Sequence, residues 1–315
     1  MFKLFSGSAH PSLSKDVAKL LQIPLAKSEV IRFGNSEVKV TIQEDVRYST
    51  CLVLQPIANP SDTHLVEFFF FCDALRRQEA KKVIGFIPYF GYARQDVQHR
   101  PGECVSANVI VRFFESIGFS KIYTIDIHDE ATEGVFSIPF KNLSALPLLA
   151  SEVRKYLSEK KIDSNHTCVV SPDQGGIERA RNFGDFLYQT TDFSLSVIEK
   201  KRNLDKVHQS KALDLYGNVK GKTVIIVDDI VTSGGTLINA INLCKERGAT
   251  NVVVVVVHHD FSINAPKKLQ DSGIDKFFST NTIELKPEQK FDKLHEISVA
   301  TLVSDELRSF LKEHS

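Results

Sequence analysis

The chain has 315 residues, enough for one large domain or two of ordinary size, and its 39 basic and 39 acidic side chains leave a formal charge of zero. That balance excludes a general attraction to nucleic acid or anionic membrane, so any anion site is local. The longest apolar run, Val252 to Val257, has the length of a strand and is too short to span a bilayer.

The first residues, Met1-Phe2-Lys3-Leu4-Phe5, give way to polar ones and lack the apolar core of a secretory leader. Cys51, Cys72, Cys104, Cys168 and Cys244 are scattered, with no CxxC pair. They read as reduced thiols of a cytoplasmic protein.

In chain order, Arg32-Phe33-Gly34-Asn35-Ser36-Glu37 reads as a surface turn. Cys51 to Leu54 is a strand, and Ser61 or Asp62 can cap a helix that places Leu65, Phe68, Phe69, Cys72 and Leu75 on one face. Val83 to Ile87 is a strand ended by Pro88. The loop that follows, through Tyr89, Phe90, Gly91, Tyr92, Ala93, Arg94 and Gln95, is either an aromatic-rich connection or a nucleotide subsite. In the second case Arg94 would meet phosphates and Gln95 the polar edges of a base. Val105 to Ile117 is a helix stopped by Gly118. Ile122 to Ile125 is a strand running into Asp126-Ile127-His128-Asp129-Glu130, where a histidine among carboxylates suits an ion or phosphate contact.

The pattern restarts near Leu146-Pro147, with a helix carrying Leu148, Leu149, Val153 and Leu157. Thr167 to Val170 is a strand leading into Ser171-Pro172-Asp173-Gln174-Gly175-Gly176. A helix from Ile177 to Tyr188 and a strand from Ser194 to Ile198 follow. Next come three consecutive cations, Lys200, Lys201 and Arg202. They read by default as a solvated charge run; the polar segment that follows, through Lys211, can instead form a mobile flap that brings Lys200 and Arg202 over phosphate charge. Alternation of strands and helices with a restart predicts α/β architecture in two domains, 1–146 and 147–315, each a mainly parallel sheet flanked by helices. In such sheets ligands collect at the carboxyl ends of strands, where the unusual residues lie.

The most informative stretch is Val224 to Leu237. Four apolar residues make a buried strand, and Asp228 and Asp229 follow at its expected end. Thr232, Ser233, Gly234, Gly235 and Thr236 then lead into a helix through Leu237, Ala240, Ile241 and Cys244 that stops at Gly248. Strand, loop and helix in this order aim backbone N–H groups at an anion. The glycines permit close approach, and the hydroxyls add donors. Paired acids beside a phosphate cradle suit the vicinal hydroxyls of a ribose phosphate.

This segment resembles the phosphoribosyl-diphosphate loop shared by type I phosphoribosyltransferases and ribose-phosphate diphosphokinases. The Tyr92-Ala93-Arg94-Gln95 loop resembles the second group and has no counterpart in the shorter first one. The resemblance extends from Phe5 to about Val257. It implies two type I phosphoribosyltransferase-like domains and transfer of diphosphate from Mg-ATP to ribose 5-phosphate, with Lys200 and Arg202 as catalytic cations. Asp228, Asp229 and Thr232 to Thr236 would hold the sugar phosphate, and Arg94 and Gln95 the nucleotide. His128 and Asp173 would meet the Mg2+ bound with ATP, directly or through water. Phe33, Asn35, Ser36 and Glu37 match a segment that reaches a neighbouring subunit's ATP site, which implies a homodimer or larger assembly. Asn35-Ser36 stands where the pattern usually has Asp-Gly, and Thr232 where many members carry an acid. Arg100 to Glu103, Asp126 to Glu130 and Glu199 to Arg202 look nearer the archaeal-type branch. A type I phosphoribosyltransferase and a catalytically silent regulatory homologue are the rivals.

Overall fold

The computed structural model describes residues 1–202 and 210–313, and for 200–202, 210–213 and 313 the backbone alone. The chain forms two compact units. One is Met1–Ser144 with Thr282–Glu284 and Ser298–Ser315, the other Ala145–Asn281 with Leu285–Ile297. Among the described residues, no helix is long and apolar enough to cross a membrane.

The first unit begins with β1 (Phe2–Ser6), α1 (Pro11–Leu21), β2 (Ser28–Arg32), β3 (Val38–Ile42), β4 (Thr50–Leu54) and α2 (Ser61–Arg77). It continues through β5 (Lys82–Ile87), α3 (Ser106–Ile117), β6 (Lys121–Ile125) and β7 (Phe140–Leu143). Its sheet has the order β1-β4-β5-β6-β7 with all pairs parallel. β4, β5 and β6 are nearly continuous apolar runs because helices cover both faces of a parallel sheet. α3 ends where Gly118 takes the left-handed conformation, φ +104°, which glycine adopts without a Cβ clash. α2 departs from its expected cap: its N-cap residue is Pro60, which has no side-chain acceptor, while Ser61 and Asp62 fall inside the helix, Asp62 accepting a hydrogen bond from the Tyr92 hydroxyl.

Gly85 sits mid-strand in β5 because nothing larger fits. A Cβ there would lie 2.7 Å from both Phe68 Cζ and Ile122 Cδ1. Gly85→Ala is therefore expected to destabilise the first unit by about 1–3 kcal/mol through overpacking, read as a lower midpoint in a denaturant melt.

The second unit holds α4 (Leu146–Glu159), β8 (Thr167–Ser171), α5 (Ile177–Tyr188), β9 (Leu195–Arg202), β10 (Ser210–Tyr216), β11 (Thr223–Val231) and α6 (Gly235–Glu246). β12 (Asn251–His259), α7 (Ala265–Asp271), β13 (Lys276–Thr280) and β14 (Leu294–Ile297) follow, and α8 (Ala300–Glu313) closes the chain. The sheet order is β10-β9-β8-β11-β12-β13-β14. β9 and β10 pair antiparallel and the other neighbours parallel. From β8 the chain lays strands outward in one direction through β9 and β10, then returns to β8's other side and continues in the opposite direction from β11. The order therefore reverses between β8 and β11, and a crevice opens at the carboxyl ends of strands where such a reversal occurs.

α8 belongs with the first unit, where it packs on α1. Val303, Leu307 and Phe310 of α8 are buried, Phe310 with its ring near that of Phe2, and Lys141 Nζ reaches Glu306 at 2.7 Å. Cys51, Cys72, Cys168 and Cys244 are buried free thiols, and burial pushes those of Cys51, Cys72 and Cys244 up to about 12.

Candidate functional site

β11 runs farther than its apolar residues indicate. The expectation ended it at Val227, yet the strand continues through both acids to Val231, because Asp228, Ile230 and Val231 pair with Val256, His258 and His259 on β12. On its other side β8 pairs with it only as far as Ile226. Asp228 and Asp229 thus stand on a strand whose β8 neighbour has already ended, at the reversal of strand order.

The two acids are close and poorly hydrated. Asp229 is buried and Asp228 is 16% exposed. The Asp229 N–H donates to Asp228 Oδ1 at 3.0 Å. Burial, and then the neighbouring Asp229 charge, raise the Asp228 carboxyl well above the usual carboxylate range, while Arg179 pulls it back. Arg179 Nη1 lies 3.4 Å from Asp229 Oδ1 and 3.8 Å from Asp228 Oδ1. Two adjacent carboxylates make the spot rich in acceptors, a setting that favours hydroxyl donors or a cation.

Arg179 was missed by the sequence reading. Its signal was a cation in the first turn of α5, where the helix dipole disfavours one unless an acid lies opposite.

Beyond β11 the chain turns through Thr232, Ser233 and Gly234 into α6. Gly234 holds φ +77° just before the helix, and a Cβ there would meet nothing closer than 3.7 Å, so glycine is required by conformation rather than space. Ser262 N–H donates to Thr232 O at 3.1 Å and fixes the loop's start. The first N–H groups of α6, from Gly235 and Thr236, lie at the positive end of a 12-residue helix. Across the reversal, the Ser171–Gly176 loop leaves β8. There Asp173 Oδ1 accepts from Gly176 N–H at 3.1 Å, and Ser171 Oγ donates to Asp173 O at 2.6 Å. The second unit thus brings Asp173, Arg179, Asp228, Asp229 and Thr232 to Thr236 to one end of β8 and β11.

The first unit carries Phe33 to Glu37, Arg94, Gln95 and His128. Arg94 and Gln95 follow β5 and are exposed. Gln95 O accepts from Ala107 N–H at 3.2 Å and its side-chain oxygen from Ser106 Oγ, which moors the loop to the start of α3. Gly91 lets the loop cross β4's continuation, since a Cβ would fall 2.2 Å from Ile57 O. His128 follows β6, next door in the sheet. The acids beside it serve the fold: Asp126 accepts from Ser144 Oγ at 3.0 Å, and Asp129 caps a 3-10 turn over 130–135 by accepting from Ala131 N–H at 2.8 Å.

Phe33 to Glu37 form the turn joining β2 and β3, as the surface-turn reading had it. Phe33 is 48% exposed, and Phe33 N–H donates to Glu37 O at 2.9 Å. Glu37 N–H donates to Asn35 Oδ1 at 3.2 Å. Ser36 takes the left-handed position, φ +72°, which is where the resembled pattern has glycine. Lys200 and Arg202 lie on the β9 backbone, paired with Ala212 and Ser210, so the expected loop after Ile198 is instead a strand. Their side chains lie outside the described residues, as do residues 203–209 of the expected flap.

Among the described residues, no group of three or more His, Cys, Asp or Glu converges into a metal cage. Magnesium prefers oxygen donors and keeps several waters, so the Asp173 carboxylate suits it directly and the His128 imidazole only through a water.

Residues 2–118 match the model of the N-terminal domain of ribose phosphate pyrophosphokinase, and residues 164–315 that of the phosphoribosyl synthetase-associated domain. Curated relatives include ribose-phosphate pyrophosphokinases of Nitrosomonas europaea, 36% identical over 99% of this chain and 96% of that protein, and Helicobacter pylori, 34% identical over 100% and 94%. Among solved structures, phosphoribosylpyrophosphate synthetase from Mycobacterium smegmatis superposes with a TM-score of 0.90 at 31% identity, covering 99% of each chain. These relatives are bacterial, and the archaeal-type lean finds no support among them. The chain belongs to the ribose-phosphate pyrophosphokinase family.

Proposed function

We propose that this chain transfers diphosphate from Mg-ATP to the anomeric hydroxyl of ribose 5-phosphate, giving 5-phosphoribosyl 1-diphosphate and AMP. The observation that carries the proposal is the placement of the Asp228–Asp229 pair and the Gly234-hinged start of α6 together at the reversal of strand order. The acids accept from the vicinal ribose hydroxyls, and the N–H groups and hydroxyls of Thr232 to Thr236 receive the 5-phosphate. Arg94 and Gln95 grip the nucleotide, and Phe33, Asn35, Ser36 and Glu37 contact the adenine of an ATP bound to a neighbouring copy. The first unit is the ATP side and the second the ribose phosphate side.

The anomeric oxygen forms its new bond to the β-phosphorus as the bond between that phosphorus and the α–β bridging oxygen breaks, AMP leaves with that oxygen, and the hydroxyl proton passes to water. Lys200 and Arg202 neutralise the charge arriving on the bridging oxygen. When bound with ATP, Mg2+ supplies further neutralisation of the phosphates, and His128 and Asp173 are the residues assigned to it. Positioning and charge carry the barrier, with no side chain assigned as general base.

Phosphorus NMR of the protein with Mg-ATP and ribose 5-phosphate tests the reading. AMP and phosphoribosyl diphosphate must appear without any added base, and their absence rejects it. The free thiols, four of them buried, support a cytoplasmic location. An ATP site shared between copies requires at least a homodimer. Light scattering on the active protein is expected to give twice the chain mass or more, and an active monomer removes the shared site.

A further inference from the structure

Glu67 is fully buried on α2, whose other buried positions are Leu65, Phe68, Phe71, Cys72 and Leu75. A carboxylate there is costly unless every lone pair is used. Here each oxygen accepts twice. Oε1 accepts from Ser8 N–H at 2.7 Å and Gln55 Nε2 at 3.1 Å, and Oε2 accepts from Ser8 Oγ at 2.6 Å and Arg32 Nη2 at 3.1 Å. Gln55, itself buried, accepts from Ala9 N–H at 3.0 Å, and Gly7 leaves room for it, since a Cβ there would fall 2.0 Å from Gln55 Oε1.

The donors come from three separate places: the loop after β1, the end of β4, and Arg32, the last residue of β2. The β2–β3 hairpin is held to the core along its length by Val30, Val40 and Ile42, whereas Phe33 at its tip is half exposed. Arg32, 36% exposed, is therefore the joint at which the tip meets the body. Its guanidinium also donates to Thr63 O at 3.5 Å, again on α2. One residue earlier, Asp62 accepts from Tyr92 in the loop that carries Arg94 and Gln95. Apolar packing would anchor the hairpin equally well but leave its direction loose. A saturated carboxylate holding a planar, forked guanidinium fixes direction.

We infer that Glu67 is a positioning residue: through Arg32 it aims the Phe33–Glu37 tip, and so sets nucleotide affinity without touching nucleotide. This rests on the assignment of that tip to ATP. The test is calorimetric binding of α,β-methylene-ATP with magnesium to the wild type, Glu67→Gln, Arg32→Met and the double variant. In Glu67→Gln an amide nitrogen replaces an acceptor, while Arg32→Met leaves α2 untouched and serves if the first variant folds poorly.

Each single variant is expected to weaken nucleotide binding roughly tenfold by misplacing the tip. Ribose 5-phosphate affinity should be unchanged, and the double variant no weaker than either single, because one linkage is broken in each. Nucleotide affinity within twofold of the wild type in Glu67→Gln and Arg32→Met overturns the inference. So does a loss for both ligands in step, the mark of a merely structural role. A wild type that makes no phosphoribosyl diphosphate yet loses nucleotide on Glu67→Gln would sink the functional reading and leave this one standing. An active wild type whose Glu67→Gln variant binds nucleotide normally would do the reverse.

Discussion

Asp228→Asn is expected to give a protein that melts higher than the wild type and turns over at least roughly a hundred times more slowly. The two effects share one cause. Asp228 and Asp229 both lie against the Arg179 guanidinium, and burial and the adjacent Asp229 charge hold the Asp228 carboxyl well above its ordinary range. The folded chain thus keeps that proton to a higher pH than the unfolded chain, and ionisation opposes folding. The fold is spared this cost below the unfolded value, near about 3.9, and loses stability as pH rises from there through the raised value.

Asparagine never ionises and can still accept from Asp229 N–H through its oxygen. Its advantage should be absent near pH 3.5, grow through the window above it, and level off with a melting temperature about 2–4 °C higher. Scanning calorimetry across pH without ligand measures this. With ribose 5-phosphate present the order should narrow or invert, because only the wild type offers both charged acceptors to the ribose hydroxyls. A variant that melts lower than the wild type at pH 7.5 without ligand would show that the pair is not repulsive.

Lys200→Ala carries the largest expected loss of turnover, roughly a hundred- to a thousand-fold, as for removal of a preorganised donor at a developing oxyanion. The cation acts on the bridging oxygen only as the phosphorus–oxygen bond breaks, so kcat should fall while the KM for ribose 5-phosphate stays near its original value. Arg202→Ala should behave similarly. The double variant should lose less than the product of the two single losses, because the cations act on one charge. The stability of the second unit should be unchanged in a denaturant melt. Wild-type turnover in Lys200→Ala would end the assignment of Lys200 to the bridging charge.

The α/β alternation was legible because β4, β5, β6, β8, β11 and β12 are buried on both faces and spell themselves as apolar runs. α3 and α6 were bounded correctly by Gly118 and Gly248. The elements that sequence reading missed lack those signals. α1 begins after His10, whose ring nitrogen accepts from Leu13 N–H at 3.3 Å, in place of a Ser, Thr, Asp or Asn cap. β2 and β3 are half exposed and charged, and β10 holds Lys211 and Asp214. Their pairing is set by partners distant in the chain or across a turn, which no local pattern encodes.

The site was legible residue by residue but not as an arrangement. That Asp228 and Asp229 lie within a strand depends on β12 continuing beside them after β8 has stopped, a fact of register. Arg179 and Glu67 went unread for a related reason. A charged residue on an amphipathic helix looks like a solvated face until its partners, 50 residues away for Arg179 and Asp229 or 59 for Ser8 and Glu67, are brought to it.

The packing of α8 on α1 has a consequence for synthesis on the ribosome. The first 144 residues emerge early, but the helix that covers α1 is made only after the second unit. At about 5–20 residues per second, the nascent first unit waits roughly 10 to 30 s with that apolar flank bare. A messenger truncated before codon 300 would leave it bare for good, an invitation to chaperones and proteases even though the sheet beneath is whole.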